Sequence, residues 1–276
     1  MSRVSNNCDS MERNRVAMSI HPTAVVDPQA QIDASAEIGP YAIIGPHVRI
    51  GPRTRVMAHA FLTGHTTIAA DNEIHVGAVI GHTPQHLGYK GAPCYTTIGE
   101  RNIIREYVSI HGSFDEGGQT VIGNENYLMG FSHVGHDCRV GDRIVLCNGS
   151  LLSGHVEVED QAFISGLVAV HQFVRIGRLV MCAGVSRANR DVPPFMMVYG
   201  DSEVVGLNLV GLRRAGISSD ARAELKQAYR VLYEERRSLP SAINVLKSEP
   251  HCPEVQHLIA FLEKTKRGIC GSRRPS

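Results

Sequence analysis

Residues 37–51 read Glu-Ile-Gly-Pro-Tyr-Ala-Ile-Ile-Gly-Pro-His-Val-Arg-Ile-Gly, and the stretch repeats itself: Ile38-Gly39-Pro40, Ile44-Gly45-Pro46 and Ile50-Gly51-Pro52 recur every six residues. Outward from here the step holds in both directions. Ile20, Val26 and Ile32 precede it, and Val56, Leu62, Ile68, Ile74 and Ile80 follow. The same phase returns at Ile98, Ile104 and Ile110, and again from Ile122 through Ile176. Of the 28 positions in this phase between 20 and 182, 24 are Ile, Leu or Val. An amphipathic helix repeats near 3.6 residues and a half-buried strand every 2, so neither produces a strict six. A hexapeptide solenoid does: each hexad makes one short strand and one turn, and three hexads close a triangular coil of about 18 residues. The aliphatic side chain points into the prism, where only a stack of coils can bury it. Glycine follows the aliphatic residue at 39, 45, 51, 81, 99, 123, 141 and 177, where a corner needs freedom of the backbone. The expected fold is therefore mainly β: a left-handed parallel β-helix over residues 18–199, with room for about nine coils.

A chain of 276 residues holds such a solenoid plus a small second domain. Tryptophan is absent and the net charge is +1, which excludes a global electrostatic pull toward nucleic acid or membrane. No apolar run reaches the roughly 18 residues of a transmembrane segment. Residues 1–17 mix Arg3, Arg13 and Arg15 with Asp9 and Glu12 and lack an apolar stretch, which reads as a disordered extension and not a secretory signal. The seven cysteines are scattered without a CxxC pair, the usage of reduced thiols in a cytoplasmic protein.

The hexad step fails at His86, Ala92 and Glu116, which marks two loops, about 82–97 and 112–121. Both return in phase. They are extruded from an unbroken scaffold, where binding residues concentrate. The solenoid is expected to end near Arg187, with Pro193-Pro194 stopping extended pairing. Beyond Gly200 the period changes, and residues 200–276 read as a helical C-terminal domain with a basic tail. Helices are expected over 203–215, from a Ser218 or Ser219 N-cap to about 236, and near 240–248 and 254–266.

The densest polar cluster is His133-Val134-Gly135-His136-Asp137, followed by Ser153-Gly154-His155 and Val170-His171-Gln172. Residues 18 apart stack on adjacent coils, which puts Gly154 one rung from His136. His136, His155, His171, a glycine N–H and a carboxylate are thereby expected along one edge of the prism, with His171 at a neighbouring corner. A neutral imidazole can take a proton from a hydroxyl, a carboxylate can fix its tautomer, and a glycine N–H can donate to a developing oxyanion. No serine or cysteine is evidently paired with the base, so direct attack fits better than a covalent intermediate. A metal site from His133, His136, His155 and His171 is the competing reading of the same residues; they do not form a compact ligand motif.

The hexad array, these three motifs, Asp191-Val192-Pro193-Pro194, and the run from Gly206-Leu207-Asn208 to Gly211-Leu212-Arg213-Arg214 together resemble the acyl-[acyl-carrier-protein]–UDP-N-acetylglucosamine O-acyltransferases of lipid A biosynthesis over about residues 18–267. The resemblance implies a cytoplasmic homotrimer with sites in clefts between subunits. It implies transfer of a 3-hydroxyacyl chain, carried on the phosphopantetheine of acyl carrier protein, to the 3-hydroxyl of UDP-N-acetylglucosamine, with no other cofactor and no metal. It implies that His136 is the general base, that Asp137 orients it, and that the Gly154 N–H holds the oxyanion. His133, His155 and His171 would position substrates, Gln85 would contact sugar, Asn208 and Arg214 would contact nucleotide, and Gly184 would limit acyl-chain length. The basic C-terminal domain would dock the acidic carrier protein.

The first loop departs from the family pattern. After the glutamine the family usually has Asp-Leu-Lys-Tyr, and this chain has His86-Leu87-Gly88-Tyr89. Gly112 and Ala215 stand where arginine is common. Two alternatives stay open on the sequence: a hexapeptide acyltransferase for a 3-amino nucleotide sugar, and a non-catalytic trimeric solenoid that serves as a binding module.

Overall fold

In the computed structural model, which describes residues 20–272, the hexads wind into a left-handed parallel β-helix with three faces. The expectation for residues 1–17, and the tail arginines 273 and 274, lie outside the described residues. Most strands are two residues long, one outward and one inward, as at Arg49–Ile50 and Arg139–Val140. Among the described residues the first face stacks nine strands from Val25–Val26 to Arg187–Ala188, and the second stacks eight from Gln31–Ile32 to Arg175–Ile176. The third runs from Glu37–Ile38 through Met181–Cys182 and on into the C-terminal region. Register is in steps of 18 where no loop intervenes, so His133 pairs with Leu151 and Arg139 with Glu157.

The hexad aliphatics are the core: Ile44, Leu62, Ile80, Ile104, Leu128, Leu146 and Ile164 are all fully buried. Each contributes about 1.5–3 kcal/mol by leaving water. A second inward column, two positions earlier in each hexad, mixes small and polar residues with β-branched aliphatics such as Val48, Val108 and Ile144. Along the edge between faces two and three it contains Thr54, Asn72, Asn102 and Asn126. Here Asn72 Oδ1 accepts from the backbone and the side chain of Asn102, Asn102 Oδ1 from the Asn126 N–H, and Asn126 Oδ1 from the Ile144 N–H. The corners turn on left-handed residues three positions after the aliphatic, and most of these are not glycine: Tyr41, Arg53, Asp71, Tyr107, Phe131, Asp137 and His155 all have φ between 53° and 62°. Such a conformation costs about 1–2 kcal/mol for a residue with a Cβ, and it persists because the ladder on both sides fixes it.

Both loops leave the edge between faces one and two. Loop 1 joins strands Val79–His82 and Tyr95–Ile98, and loop 2 joins Ser109–His111 and Thr120–Ile122. They are shorter than expected because the strands beside them lengthen and keep pairing.

The C-terminal region corrects three expectations. Pairing does not stop at Pro193-Pro194: Met196–Tyr199 adds in parallel to Met181–Cys182, so the third face continues past the prolines. Residues 203–207 form a strand, not a helix, antiparallel to 196–199, and only Leu209–Arg214 is helical (α1). The boundary expected between 199 and 200 therefore falls inside a β-hairpin, and Gly271–Ser272 adds a further strand to the same sheet. The remaining helices follow expectation: α2 Ser219–Tyr229, continued by a π-helical turn Arg230–Glu234, α3 Leu239–Lys247 and α4 Pro253–Glu263. Ser218 caps α2 through the Ala221 N–H, and prolines open α3 and α4 where a missing N–H is harmless. The helices are tied to the solenoid by Arg175, whose guanidinium lies 3.9 Å from the Phe261 ring centroid, and by His257, 2.8 Å from Glu159.

Candidate active site

The edge between faces one and two collects the polar motifs. His136 is the second residue after its core aliphatic and is buried. Asp137 follows at the left-handed corner with φ 58°, which turns its carboxylate back along the edge. His136 Nδ1 donates to Asp137 Oδ2 at 2.9 Å, which leaves Nε2 as the unprotonated, basic nitrogen of the neutral ring. Loop 2 completes the carboxylate's environment: the Phe114 N–H donates to the same oxygen at 2.8 Å. A Cβ on Gly118 would lie 2.4 Å from Asp137 Oδ1, so that glycine gives the carboxylate its room. Burial pushes the Asp137 carboxyl up, but the hydrogen bonds from His136 and Phe114 and the nearness of His155 outweigh it and hold it below the usual range.

Gly154 lies one coil further on, against the base. A Cβ there would sit 2.5 Å from Cε1 and Nε2 of His136. Its N–H finds no acceptor among the described residues. That follows from the fold, because the same corner position elsewhere holds Pro40, Pro46 and Pro52, which have no N–H to satisfy. A glycine there leaves a donor beside the imidazole. His155, at φ 59°, meets the His136 ring edge-to-face at 5.1 Å and stacks on Phe173 at 4.5 Å.

His133 is half-buried on face one, 2.8 Å from Ser109 Oγ, and its ring lies 5.2 Å from that of His111. Burial, then the neighbouring His111 and His136, push its pKa down to about 4, so it is a neutral hydrogen-bonding group. His111, also lowered chiefly by burial, donates to the Thr83 carbonyl at 2.6 Å and anchors loop 1. His171 sits on this same edge one coil beyond Gly154, not at a neighbouring corner. It is exposed, 3.4 Å from an Arg267 nitrogen, and it is Phe173 that packs on His155. Gln85 is exposed on loop 1.

Three expected residues lie elsewhere in the chain. Gly184 is on the edge between faces three and one. Asn208 is 9% exposed and caps α1: its Oδ1 accepts the Gly211 N–H at 2.9 Å and its Nδ2 donates to the Leu179 carbonyl. That anchors α1, with Arg214 exposed in its last turn, at the edge between faces two and three. A rigid prism keeps its three edges apart, so one chain does not fold these residues onto His136. The sequence reading missed Phe114, His111 and Phe173. Phe114 acts through its backbone N–H, which no side-chain pattern reports.

His136, Asp137 and His155 also bring potential metal-ligating atoms within 4.8 Å of one another. The close pair among them is already the hydrogen bond that sets the tautomer of His136, an arrangement that suits a base. Beside Asp137 and His155 a groove of about 1000 Å³ runs past Arg139, Phe173 and Arg175 to Lys266 and Arg267. Among the described residues no helix is long and apolar enough to cross a membrane.

Comparison with known proteins places this geometry. Residues 191–270 match the family profile described as Udp N-acetylglucosamine O-acyltransferase, Domain 2. The acyl-[acyl-carrier-protein]–UDP-N-acetylglucosamine O-acyltransferase of Synechocystis sp. is 52% identical over 248 residues, 90% of either chain, and that of Anaeromyxobacter sp. is 48% identical over 255 residues, 91% of this chain and 99% of that one. The solved structure of LpxA from Acinetobacter baumannii superposes with a TM-score of 0.89 at 39% identity, covering 92% of this chain and all of that one. With a β-helix that matches over its length and relatives near half-identical across nine-tenths of the sequence, the chain belongs to the family of acyl-[acyl-carrier-protein]–UDP-N-acetylglucosamine O-acyltransferases.

Proposed function

We propose that the His136 site transfers a 3-hydroxyacyl chain from acyl carrier protein to the 3-hydroxyl of UDP-N-acetylglucosamine, the first step of lipid A biosynthesis. The observation that carries the mechanism is the pairing of a tautomer-fixed imidazole with a glycine N–H beside it that has no acceptor among the described residues. His136 Nε2 takes the proton of the sugar hydroxyl as its oxygen attacks the thioester carbon. Asp137 stabilises the imidazolium that forms. The Gly154 N–H donates to the oxyanion of the tetrahedral intermediate. Collapse expels the phosphopantetheine thiolate, which takes the proton back from His136. No covalent acyl-enzyme is required, and the scheme uses no resident cofactor or metal.

His133, His155 and His171 would position substrates along this edge, and Gln85 would reach the sugar from loop 1. The groove from His155 to Lys266 and Arg267 suits a pantetheine arm, with the basic C-terminal segment facing an acidic carrier protein. The separation of Gly184, Asn208 and Arg214 onto other edges supports a homotrimer. A neighbouring subunit would then present its nucleotide contacts and its chain-length glycine to the cleft beside His136. The expected place of work is the cytoplasm.

The test is transfer from a panel of 3-hydroxyacyl carrier proteins to UDP-N-acetylglucosamine and to its 3-amino analogue. Expected is transfer to the hydroxyl, with His136→Ala lowering kcat by about 10² to 10⁴. Transfer only to the amine would reassign the acceptor, and activity that survives His136→Ala would remove the base.

A further inference from the structure

Along the same edge as His136, but toward the N-terminal end of the stack, lies a second cavity of about 500 Å³. A column of stacked rings forms one side of it. His47 and His65 lie one coil apart with their rings nearly parallel, 4.4 Å between centroids and 3° between planes. Tyr95, paired with His65 across the ladder, stacks next at 4.8 Å. The other side is the outward row of face two, where Gln31, Arg49 and Thr67 stand in register. Gln119, whose amide donates to Thr97, closes the far end. It is one rung before Asp137 and also borders the groove beside the base, so it stands between the two cavities.

The charge in this lining has one sign: it includes Arg49 and no aspartate or glutamate. Arginines on the neighbouring coils are neutralised one rung on, Arg53 by Asp71 and Arg55 by Glu73. Arg49 has Gln31 before it and Thr67 after it, both neutral, and its exposed guanidinium has no carboxylate partner among the described residues. The ring nitrogens of His47 and His65 likewise have no hydrogen-bond partner among the described residues. A guanidinium free of carboxylates suits a phosphate, whose oxygens match its fork of N–H donors. Imidazoles, amides and hydroxyls around it suit the hydroxyls of a sugar. The volume is that of a small-molecule site and exceeds what a bare phosphate fills. We propose that this cavity is a second ligand site that takes a sugar phosphate, with the phosphate on Arg49 and sugar hydroxyls on the His47 and His65 ring nitrogens.

The test is isothermal titration calorimetry of the full-length protein with glucose 6-phosphate, and with inorganic phosphate and glucose as its two halves. Glucose 6-phosphate should bind at one site per chain with a Kd below about 1 mM. Phosphate should bind about tenfold more weakly, and glucose not measurably. Arg49→Gln should raise the Kd about tenfold or more, and Arg49→Lys should recover part of the loss, since it restores the charge but not the fork. His65→Leu should raise it about threefold to tenfold. Arg139→Gln, in the groove beside Asp137, should leave it unchanged. No binding of glucose 6-phosphate at about 10 mM overturns the proposal, and so does a Kd indifferent to Arg49→Gln. Phosphate bound as tightly as its ester overturns the assignment of a sugar. A Kd that rises with Arg139→Gln moves the ligand into the groove of His136 and overturns the second site. The readout is binding and not turnover, so failure of the acyl-transfer reading would leave this result standing, and a failed titration would leave acyl transfer untouched.

Discussion

Gly154→Ala isolates the oxyanion corner from the rest of the molecule. The backbone at 154 is not in the left-handed region, so alanine adds no conformational strain. What it adds is one methyl carbon 2.5 Å from Cε1 and Nε2 of His136. Carbon contacts rest near about 3.5–4.0 Å, so one of the two groups must yield by about 1 Å. The imidazole cannot simply retreat, because Phe114, His86 and His155 pack around it at 5.1 to 5.5 Å between ring centroids. A shift of that size lengthens the 2.9 Å bond to Asp137 and moves Nε2 off the line of proton transfer. Misplacement by about 1 Å costs about 10² in rate, close to 2.7 kcal/mol of activation free energy. The assay is initial-rate kinetics at saturating donor and acceptor, paired with a thermal melt. kcat should fall about a hundredfold with little change in either KM, and the melt should move by only a few degrees because the site is on an edge and not in the core. A kcat within about threefold of wild type would refute the reasoning, since the corner would then tolerate what the geometry says it cannot.

Further outcomes follow from other features of the chain. Asn102→Ala strands the Asn126 N–H and the Gly123 carbonyl, both served now by the Asn102 amide, and should cost about 2–4 kcal/mol in urea unfolding; a loss below about 1 would remove the asparagine ladder as a source of stability. His133 has a folded pKa of about 4 against an ordinary 6.5, so the unfolded chain binds the proton first. Its contribution is full above pH 6.5 and is lost as pH falls toward 4, amounting to at most about 3 kcal/mol. His133→Gln should flatten that part of the stability–pH curve, and an unaltered curve would assign the acid sensitivity elsewhere. The Cys138 and Cys182 thiols are pushed up to about 12, first by burial, and should resist iodoacetamide at pH 8 until the protein is unfolded; labelling of either in the native state would contradict their burial.

The period of six made the solenoid legible because it is a local rule: each hexad repeats the same inward contact whatever else the chain does. The edge that carries His136, Asp137, Gly154 and His155 was legible for the same reason, since stacking in steps of 18 converts sequence separation into position. Where contacts are not periodic, the reading failed. Residues 203–207 carry an apolar pattern that suits either element, and it is pairing with Met196–Tyr199 that makes them a strand. The third face continues past Pro193-Pro194 because those prolines sit at a corner, outside the ladder. The asparagine ladder lay hidden because its residues recur once per coil and not once per hexad, at intervals the first loop stretches from 18 to 30. Loop contacts such as Phe114 N–H on Asp137 depend on how an insertion folds back, which its sequence does not encode by spacing.

The corner two places after each core aliphatic has a further meaning. The amide hydrogen there commonly falls outside the backbone ladder, and along the edge between faces two and three side chains take it up: Asn124 Oδ1 accepts from Glu100, Asp142 Oδ1 from Asn124 and Asp160 Oδ1 from Asp142. Proline removes the donor at its rung, as at positions 40, 46 and 52, and glycine leaves it open, as at 154. Reactivity on this scaffold is therefore switched on by exchange at a single corner, without disturbing the stack that holds it. New chemistry could arise along a solenoid one rung at a time, wherever an opened amide happens to face a base.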